Sequence, residues 1–383
     1  MTPFTFNTTP SLRMGAGLAR QLGEIVKPIC GENILFVTDP GMVANGLVGP
    51  VVNTLRAAGL RVTIFDQVQA DPPEAIILQA ADMARHVSGV VGFGGGSPLD
   101  VAKLAALLAA SGQPLAEAYG IGNAKGPRLP LVLVPTTSGT GSEVTPISIV
   151  TTGALEKMGV VSPLILPDVA VLDPELTLGL PAHVTAATGI DAMVHAIEAY
   201  ASANPNNNPV SRALAVEALR LMGRVLQRAV DTPGNIEARS DMMLGSMLAG
   251  QAFANSPVAA VHALAYPIGG HYKVPHGLSN ALVLPHVLRF NAEAAPLAYA
   301  ELLPHVFPQV SDTGVGDAAV KFVEGMAALS RACGLPQNLR DVGIEKEALP
   351  MLACDAMNQT RLLVNNPRPV DEAAALAIYE AAW

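Results

Sequence analysis

Two residues in the middle of the chain invite a chemical reading. In GIDAMVHAIEAY, from Gly189 to Tyr200, Asp191 and His195 stand four apart on an apolar helical pattern, so their side chains leave the same face. Burying a carboxylate and an imidazole is costly unless something pairs them. The pairing is either a hydrogen bond between the two or a shared ion. A second stretch, HALAYPIGGHYKVPHG from His262 to Gly277, adds His262, His271 and His276 within a largely uncharged region. His262 is expected to end a helical pattern that Gly269 and Gly270 break, and Pro275 to set a bend that folds His276 back beside His262. Asp191, His195, His262 and His276 together make one carboxylate and three imidazoles, a donor set suited to Fe²⁺ or Zn²⁺, with zinc bonds of about 2.0–2.2 Å and room for one further ligand. His86, His183, His286 and His305 sit in no comparable cluster and are assigned to surface or core.

Two glycine-rich segments offer a different chemistry. GGGSPLDVAK, from Gly94 to Lys103, follows a buried run ending at Phe93; its glycines permit close backbone approach, and Ser97 with Pro98 suits the start of a helix whose free N–H groups face an anion. The spacing departs from G-x-G-x-x-G, because Ser97 falls where the last glycine belongs. PTTSGTGSEVT, from Pro135 to Thr145, crowds the hydroxyls of Thr136, Thr137, Ser138, Thr140 and Ser142 into one turn. Those hydroxyls are met either by a local turn network or by a ligand. Two such loops at the ends of strands of one sheet favour a ligand in the crevice that open α/β sheets form there.

These segments must be positioned by regular elements. Ile34–Thr38, Val62–Phe65, Gly89–Phe93, Leu131–Val134 and Val169–Leu172 read as buried strands, with helices near 45–59, 74–86 and 98–112 between them. Strand and helix in alternation imply a parallel, doubly wound α/β domain. Ser148–Ser162 reads as a hairpin around Gly153. After Leu180 the β-branched runs give way to Ala, Leu, Met and Glu at helical spacing, punctuated by Pro181, Pro205, Pro233, Pro257, Pro304 and Pro336. The expected organisation is an α/β dinucleotide-binding domain over 1–180 and an all-helical domain over 181–383, with NPNNNP from Asn204 to Pro209 as an interhelical loop. Two domains also suit a length of 383 residues.

Composition narrows the classes further. Half the residues are hydrophobic, 14% are charged, and mean hydropathy is +0.37, yet Gln251, Asn255, Ser256, Pro257 and His262 interrupt the longest uncharged stretch, so no membrane span is expected. A net charge of −9 without a Lys/Arg cluster leaves no footprint for nucleic acid. Met1 to Pro10 lack the pattern of a signal peptide, and Cys30, Cys333 and Cys354 are odd in number and without metal-ligand spacing, which points to a reducing cytoplasm and to small buried apolar side chains.

The motifs taken in order resemble the iron-containing (group III) alcohol dehydrogenase family, related in fold to glycerol dehydrogenase and dehydroquinate synthase. GGGSPLDVAK, PTTSGTGSEVT, KMGVVSP at Lys157 to Pro163, GIDAMVHAIEAY, VPHG and NNPRP at Asn365 to Pro369 carry the resemblance across essentially the whole chain. It implies reversible hydride transfer between NAD and a small primary or secondary alcohol or hydroxy acid, assisted by one divalent metal on Asp191, His195, His262 and His276. It places the cofactor pyrophosphate on Gly95, Gly96 and Ser97, with Asp100 of the same motif also in the cofactor set. Thr136, Thr137, Thr140 and Ser142 line the nicotinamide side, and Lys157 reaches the ribose. Asp39, in FVTDPG, corresponds to the residue meeting the adenosine ribose; a carboxylate there repels a 2′-phosphate and favours NAD over NADP, although an aspartate before Pro40 also suits a plain turn. Many members carry a histidine four residues after the third ligand, where this chain has Tyr266; His271 is the alternative for proton transfer. Phe253, Tyr266 and Ile268 are expected to wall an aliphatic alcohol or aldehyde, and a homo-oligomer, a dimer or larger, is implied. Three rival readings are a metal-free maleylacetate-type reductase, a lyase resembling dehydroquinate synthase, and a non-catalytic assembly protein.

Overall fold

A computed structural model of the chain describes residues 2–153, 156–310 and 314–383. It forms two units, one of Asn7–Gly179 and one of Leu180–Trp383 together with the N-terminal residues through Phe6.

The first unit runs β1 (Ser11–Met14), α1 (Leu22–Cys30), β2 (Asn33–Val37), α2 (Pro40–Ala44), α3 (Val48–Ala57), β3 (Arg61–Phe65), α4 (Glu74–Ala84), β4 (Gly89–Gly94), α5 (Gly96–Ser111), α6 (Leu115–Ala118), β5 (Gly120–Ile121), β6 (Leu131–Pro135), β7 (Ile147–Thr152), β8 (Glu156–Val161) and β9 (Val169–Leu172). The main sheet has the order β1-β9-β6-β4-β2-β3, with every pairing parallel. Alternation along β2 shows why both faces are covered: Leu35 and Val37 pack with α4 and α5, whereas Ile34 and Phe36 pack with α1 and α3. The five apolar runs are the five inner and far-edge strands. β1 was not foreseen, because SLRM is half polar; it is a short edge strand that pairs with β9 and leaves Leu12 and Met14 exposed. α1 was also missed: Gly23 and Pro28 argue against a helix, yet Leu22, Ile25 and Val26 make one buried stripe. β7 and β8 form the antiparallel pair read at Ser148–Ser162, and β5 joins them; residues 154–155 of its turn lie outside the described set.

The second unit is helical among the described residues: α7 (Ala182–Ala201), α8 (Pro209–Asp231), α9 (Ile236–Asn255), α10 (Ala260–Tyr272), α11 (His276–Ala292), α12 (Pro296–Val306), α13 (Val315–Ala332), α14 (Leu349–Ala356), α15 (Thr360–Leu363) and α16 (Glu372–Ala382). Asn206 ties the N-terminal residues to this unit, accepting from Thr5 N–H at 2.9 Å and donating to its carbonyl at 2.9 Å. α7 is alanine-rich, which favours helix, and is buried on every side from Gly189 to Tyr200. Three readings of this half are corrected. His262 is the third residue of α10 rather than the end of a helix, because the break falls at Ser256–Ala259. Gly269 and Gly270 do not interrupt α10, which continues to Tyr272 and stops at Lys273, whose φ of 57° is left-handed. Pro304 lies inside α12 instead of punctuating it. At Gly269, Gly270 and Pro304 packing of an apolar stripe outweighs a local breaker.

None of the described helices is long and apolar enough to cross a membrane. Cys30 and Cys333 are buried, and burial pushes their thiols up to about 12 and about 11; Cys354 departs from the expected pattern by being exposed.

Candidate metal centre and cofactor loops

The helical unit brings together the four side chains singled out in the sequence. α7 contributes Asp191 and His195 one turn apart, the first turn of α10 contributes His262, and the first residue of α11 contributes His276. One potential ligand atom from each lies within 4.8 Å of the others. Asp191 Oδ1 is 3.8 Å from Nε2 of both His262 and His276, too far for a hydrogen bond. A tetrahedral ion with bonds of about 2.1 Å sets its ligands about 3.4 Å apart, so the two 3.8 Å pairs stand about 0.4 Å wider than an ion would draw them. His262 Nε2 is buried without any hydrogen-bond partner, an arrangement that costs roughly 1–3 kcal/mol unless a cation meets the nitrogen. The residues present therefore fit a divalent metal.

The rings are held by stacking. His195 lies against Phe253 with centroids 4.3 Å apart and against His262 at 4.7 Å, and His276 sits 5.3 Å from His262. Asn280, one turn after His276, donates to Asp191 Oδ1 at 2.6 Å. Burial pulls the Asp191 carboxyl upward, but His195, His276, His262 and the Asn280 amide together outweigh it and hold it below the usual carboxylate range. Glu198, two turns beyond Asp191, faces His262 Nδ1 at 2.6 Å and accepts from Val261 N–H at 2.7 Å. Gly277 permits the approach of α11: a Cβ there would stand 2.6 Å from the Ala187 carbonyl oxygen and 3.3 Å from Asp191 Cβ.

The other residues proposed for this end separate by helix phase. Tyr266 follows His262 by four positions, shares its face, and has its ring centroid 5.7 Å from that of His276. His271 is nine positions on, about 900° of rotation, and so leaves the opposite face; its Nε2 pairs with Asp355 at 2.6 Å. The expectation that His271 replaces the family histidine is thus not supported by its placement. Ile268 is completely buried, and Phe253 packs on the His195 ring.

In the α/β unit the cofactor candidates converge at the carboxyl ends of neighbouring strands. The strand order reverses direction between β2 and β4, which is where open α/β sheets bind ligands. Asp39 follows β2, the glycines end β4, and Thr136 follows β6, its N–H bonded to the Gly94 carbonyl at 2.9 Å. Gly94 has φ +146°, and a Cβ would meet Pro98 at 2.7 Å, so a side chain is excluded. α5 starts at Gly96, one residue before Ser97, with Gly95 as an N-cap lacking any side-chain cap; the Gly96 and Ser97 N–H groups are therefore left for an anion. Asp39 is partly exposed, and its Oδ1 accepts from Met42 N–H at 3.0 Å as the cap of α2, leaving Oδ2 near Gly94.

The hydroxyl loop divides in two. Thr137 and Thr140 are half-buried beside Gly95 and Gly96. Thr136 is buried with its hydroxyl on Met42 Sδ, and Ser142 donates to Asp100 at 2.6 Å while accepting from Lys103 at 2.8 Å. Asp100 also accepts from Ile149 N–H at 2.9 Å, so its carboxylate and Ser142 organise the loop from beneath. Lys157 pairs with Asp71 at 2.6 Å and donates to Thr151 at 2.9 Å. Glu198, Asn280 and Lys103 escaped the sequence reading. Glu198 carried the available signal, lying three residues after His195 on the same helix.

A parallel sheet with glycine-rich turns at its carboxyl edge and a separate Asp/His₃ cluster suit a cofactor-linked, metal-assisted oxidoreductase. The chain belongs to the iron-containing alcohol dehydrogenase family. The family profile "Iron-containing alcohol dehydrogenase" matches residues 9–174, and "Fe-containing alcohol dehydrogenase family, C-terminal" matches residues 185–383. The chain is 42% identical over 382 residues to long-chain-alcohol dehydrogenase 1 of Geobacillus thermodenitrificans, covering 98% of this chain and 95% of that one. It is 38% identical over 367 residues to 1,3-propanediol dehydrogenase of Citrobacter freundii, covering 94% of each. The crystal structure of a 1,3-propanediol oxidoreductase superposes with a TM-score of 0.95 at 37% identity over the whole of both chains. The chain is accordingly an alcohol dehydrogenase, a class that oxidises alcohols reversibly with NAD, and neither the metal-free reductase nor the lyase is favoured.

Proposed function

We propose that the chain oxidises small primary or secondary alcohols with NAD, and reduces the corresponding aldehydes or ketones, using one Fe²⁺ or Zn²⁺ on Asp191, His195, His262 and His276. The observation that carries this reading is the buried, partnerless His262 Nε2 facing Asp191 within a four-residue donor set. A divalent ion held there supplies the Lewis acidity that brings an alcohol hydroxyl within reach of ionisation near neutral pH. Bound NAD supplies the hydride acceptor.

The protein's own contribution is placement. The Gly96 and Ser97 N–H groups with the Gly95 turn receive the pyrophosphate, and Thr137 and Thr140 offer hydroxyls above it; Asp100, Ser142 and Thr136 hold that loop in shape. Asp39 Oδ2 selects an unphosphorylated ribose. Lys157, although paired with Asp71, lies at the family position for the ribose. Phe253 fixes the His195 ring, and Tyr266 presents a phenol beside His276 where other members have an imidazole. The three cysteines, none in a disulfide, accord with the cytoplasm, and family resemblance supports a homo-oligomer.

The test is a panel of short aliphatic alcohols and diols with NAD and with NADP, using protein reconstituted with ferrous iron or zinc. NADH formation that is lost on chelation and restored by metal is expected. Turnover indifferent to chelation, or no NADH from any alcohol, overturns the reading.

A further inference from the structure

Glu198 is a fully formed carboxylate site in the helical unit with no assigned role. It is buried, and its two oxygens are divided between two targets on α10: Oε1 accepts from Val261 N–H at 2.7 Å and Oε2 faces His262 Nδ1 at 2.6 Å. Val261 is the second residue of α10, which has no side-chain cap of its own, so Glu198 meets a free N–H at the positive end of that helix. The ring of the next residue is held by the same group.

Proton placement follows from these contacts. A carboxylate only accepts, so the proton of a neutral His262 must sit on Nδ1, the nitrogen facing Glu198. Nε2 is then a bare lone pair, and it is the atom buried without a partner that faces Asp191 at 3.8 Å. We propose that Glu198 is a positioning residue that locks His262 as its Nδ1–H tautomer and so makes Nε2 a metal donor. The inference rests on the four-ligand reading above. Because α7 carries Glu198 together with Asp191 and His195, one helix supplies two ligands and the group that prepares a third.

Glu198→Gln separates this role from simple capping. Its amide oxygen can still accept from Val261 N–H, which turns the amide NH₂ toward His262 Nδ1. That donor favours a proton on Nε2, the wrong nitrogen for coordination. The shape of the side chain is retained while the tautomer is inverted.

Two measurements on the full chain decide the matter. In metal-free protein at pH 8, ¹⁵N-histidine NMR, with His262 assigned by its loss in His262→Ala, should show the proton on Nδ1 in the parent and a shift toward Nε2 in E198Q. Zinc affinity by chelator competition should fall about 10–100-fold in E198Q, while the metal-free melting temperature stays within a few degrees. Glu198→Asp, which keeps the charge, should recover part of the affinity. A proton on Nε2 in the parent, or equal zinc affinity in parent and E198Q, overturns the proposal. Failure of the parent to bind zinc or iron instead defeats the four-ligand reading, and the tautomer measurement then judges Glu198 on its own.

Discussion

Asp191 in the helical unit and Glu143 in the α/β unit are both carboxylates removed from water, at 2% and 3% exposure, yet they are driven in opposite directions. Burial pushes the Glu143 carboxyl up to about 7, outweighing the opposing pull of its own backbone N–H and of Lys103. Asp191 suffers the same burial but faces three imidazoles and the Asn280 amide, which hold it low. The difference teaches what each surrounding is built to receive. Around Asp191 the structure favours a negative ligand and leaves a neighbouring nitrogen lone pair partnerless, so positive charge is wanted there; around Glu143 a proton suffices. A buried acid is thus no signature of function until its neighbours are counted.

The comparison breaks most visibly at the cluster itself. His262→Ala or Asp191→Ala should empty the metal site and lower kcat/KM by on the order of 10³-fold or more, equivalent to about 4 kcal/mol of lost transition-state stabilisation. NAD binding by the α/β unit should persist. Elemental analysis, NADH formation and a thermal-shift titration with NAD check the three parts separately. Retained turnover in either variant would remove the cluster from the chemistry.

Glu143 provides the converse test, with a smaller effect. Its folded pKa of about 7 lies above its ordinary value of 4.5, so the stability it contributes is complete below about pH 4.5 and is lost as pH rises through 7. Glu143→Gln has no such titration. Its melting temperature relative to the parent should climb between pH 5 and pH 8, by an amount worth about 1–3 kcal/mol once the lost attraction to Lys103 is allowed for. A flat difference across that range would show that Glu143 is ionised at little cost.

Much of this contrast was legible in the sequence, and the reasons are specific. Asp191 and His195 are four apart on one helix, a spacing that fixes a common face before any fold is known, and the five apolar runs of the α/β unit could be buried only as strands. His271 stands close to His262 in sequence, but helix phase turns it to the opposite face of α10, where it pairs with Asp355. Glu198 and Asn280 went unread because their partners, His262 and Asp191, lie 64 and 89 positions distant. Lys103 resembles a surface residue until α5 is seen to be enclosed, with the ammonium donating to the Ile147 carbonyl at 2.7 Å and to Ser142. Long-range polar pairs leave no periodic trace, whereas apolar stripes do.

Asp39 extends the comparison to a third carboxylate, one left partly in water at the end of β2, and here the expected effect is smallest. Its Oδ1 already caps α2 through Met42 N–H, so Asp39→Ala would confuse loss of a helix cap, about 1 kcal/mol, with loss of cofactor choice. Asp39→Asn keeps an acceptor for the cap and removes only the charge. If Oδ2 discriminates by repelling a 2′-phosphate, the ratio of kcat/KM for NADP to that for NAD should rise about tenfold, or about 1.4 kcal/mol, with the melting temperature nearly unchanged. The increase should diminish at high salt, since a partly exposed charge is screened over about 3 Å at 1 M, which a steric preference would not be. A ratio that stays constant in Asp39→Asn would leave Asp39 as the cap of α2 and place cofactor choice elsewhere in the loops.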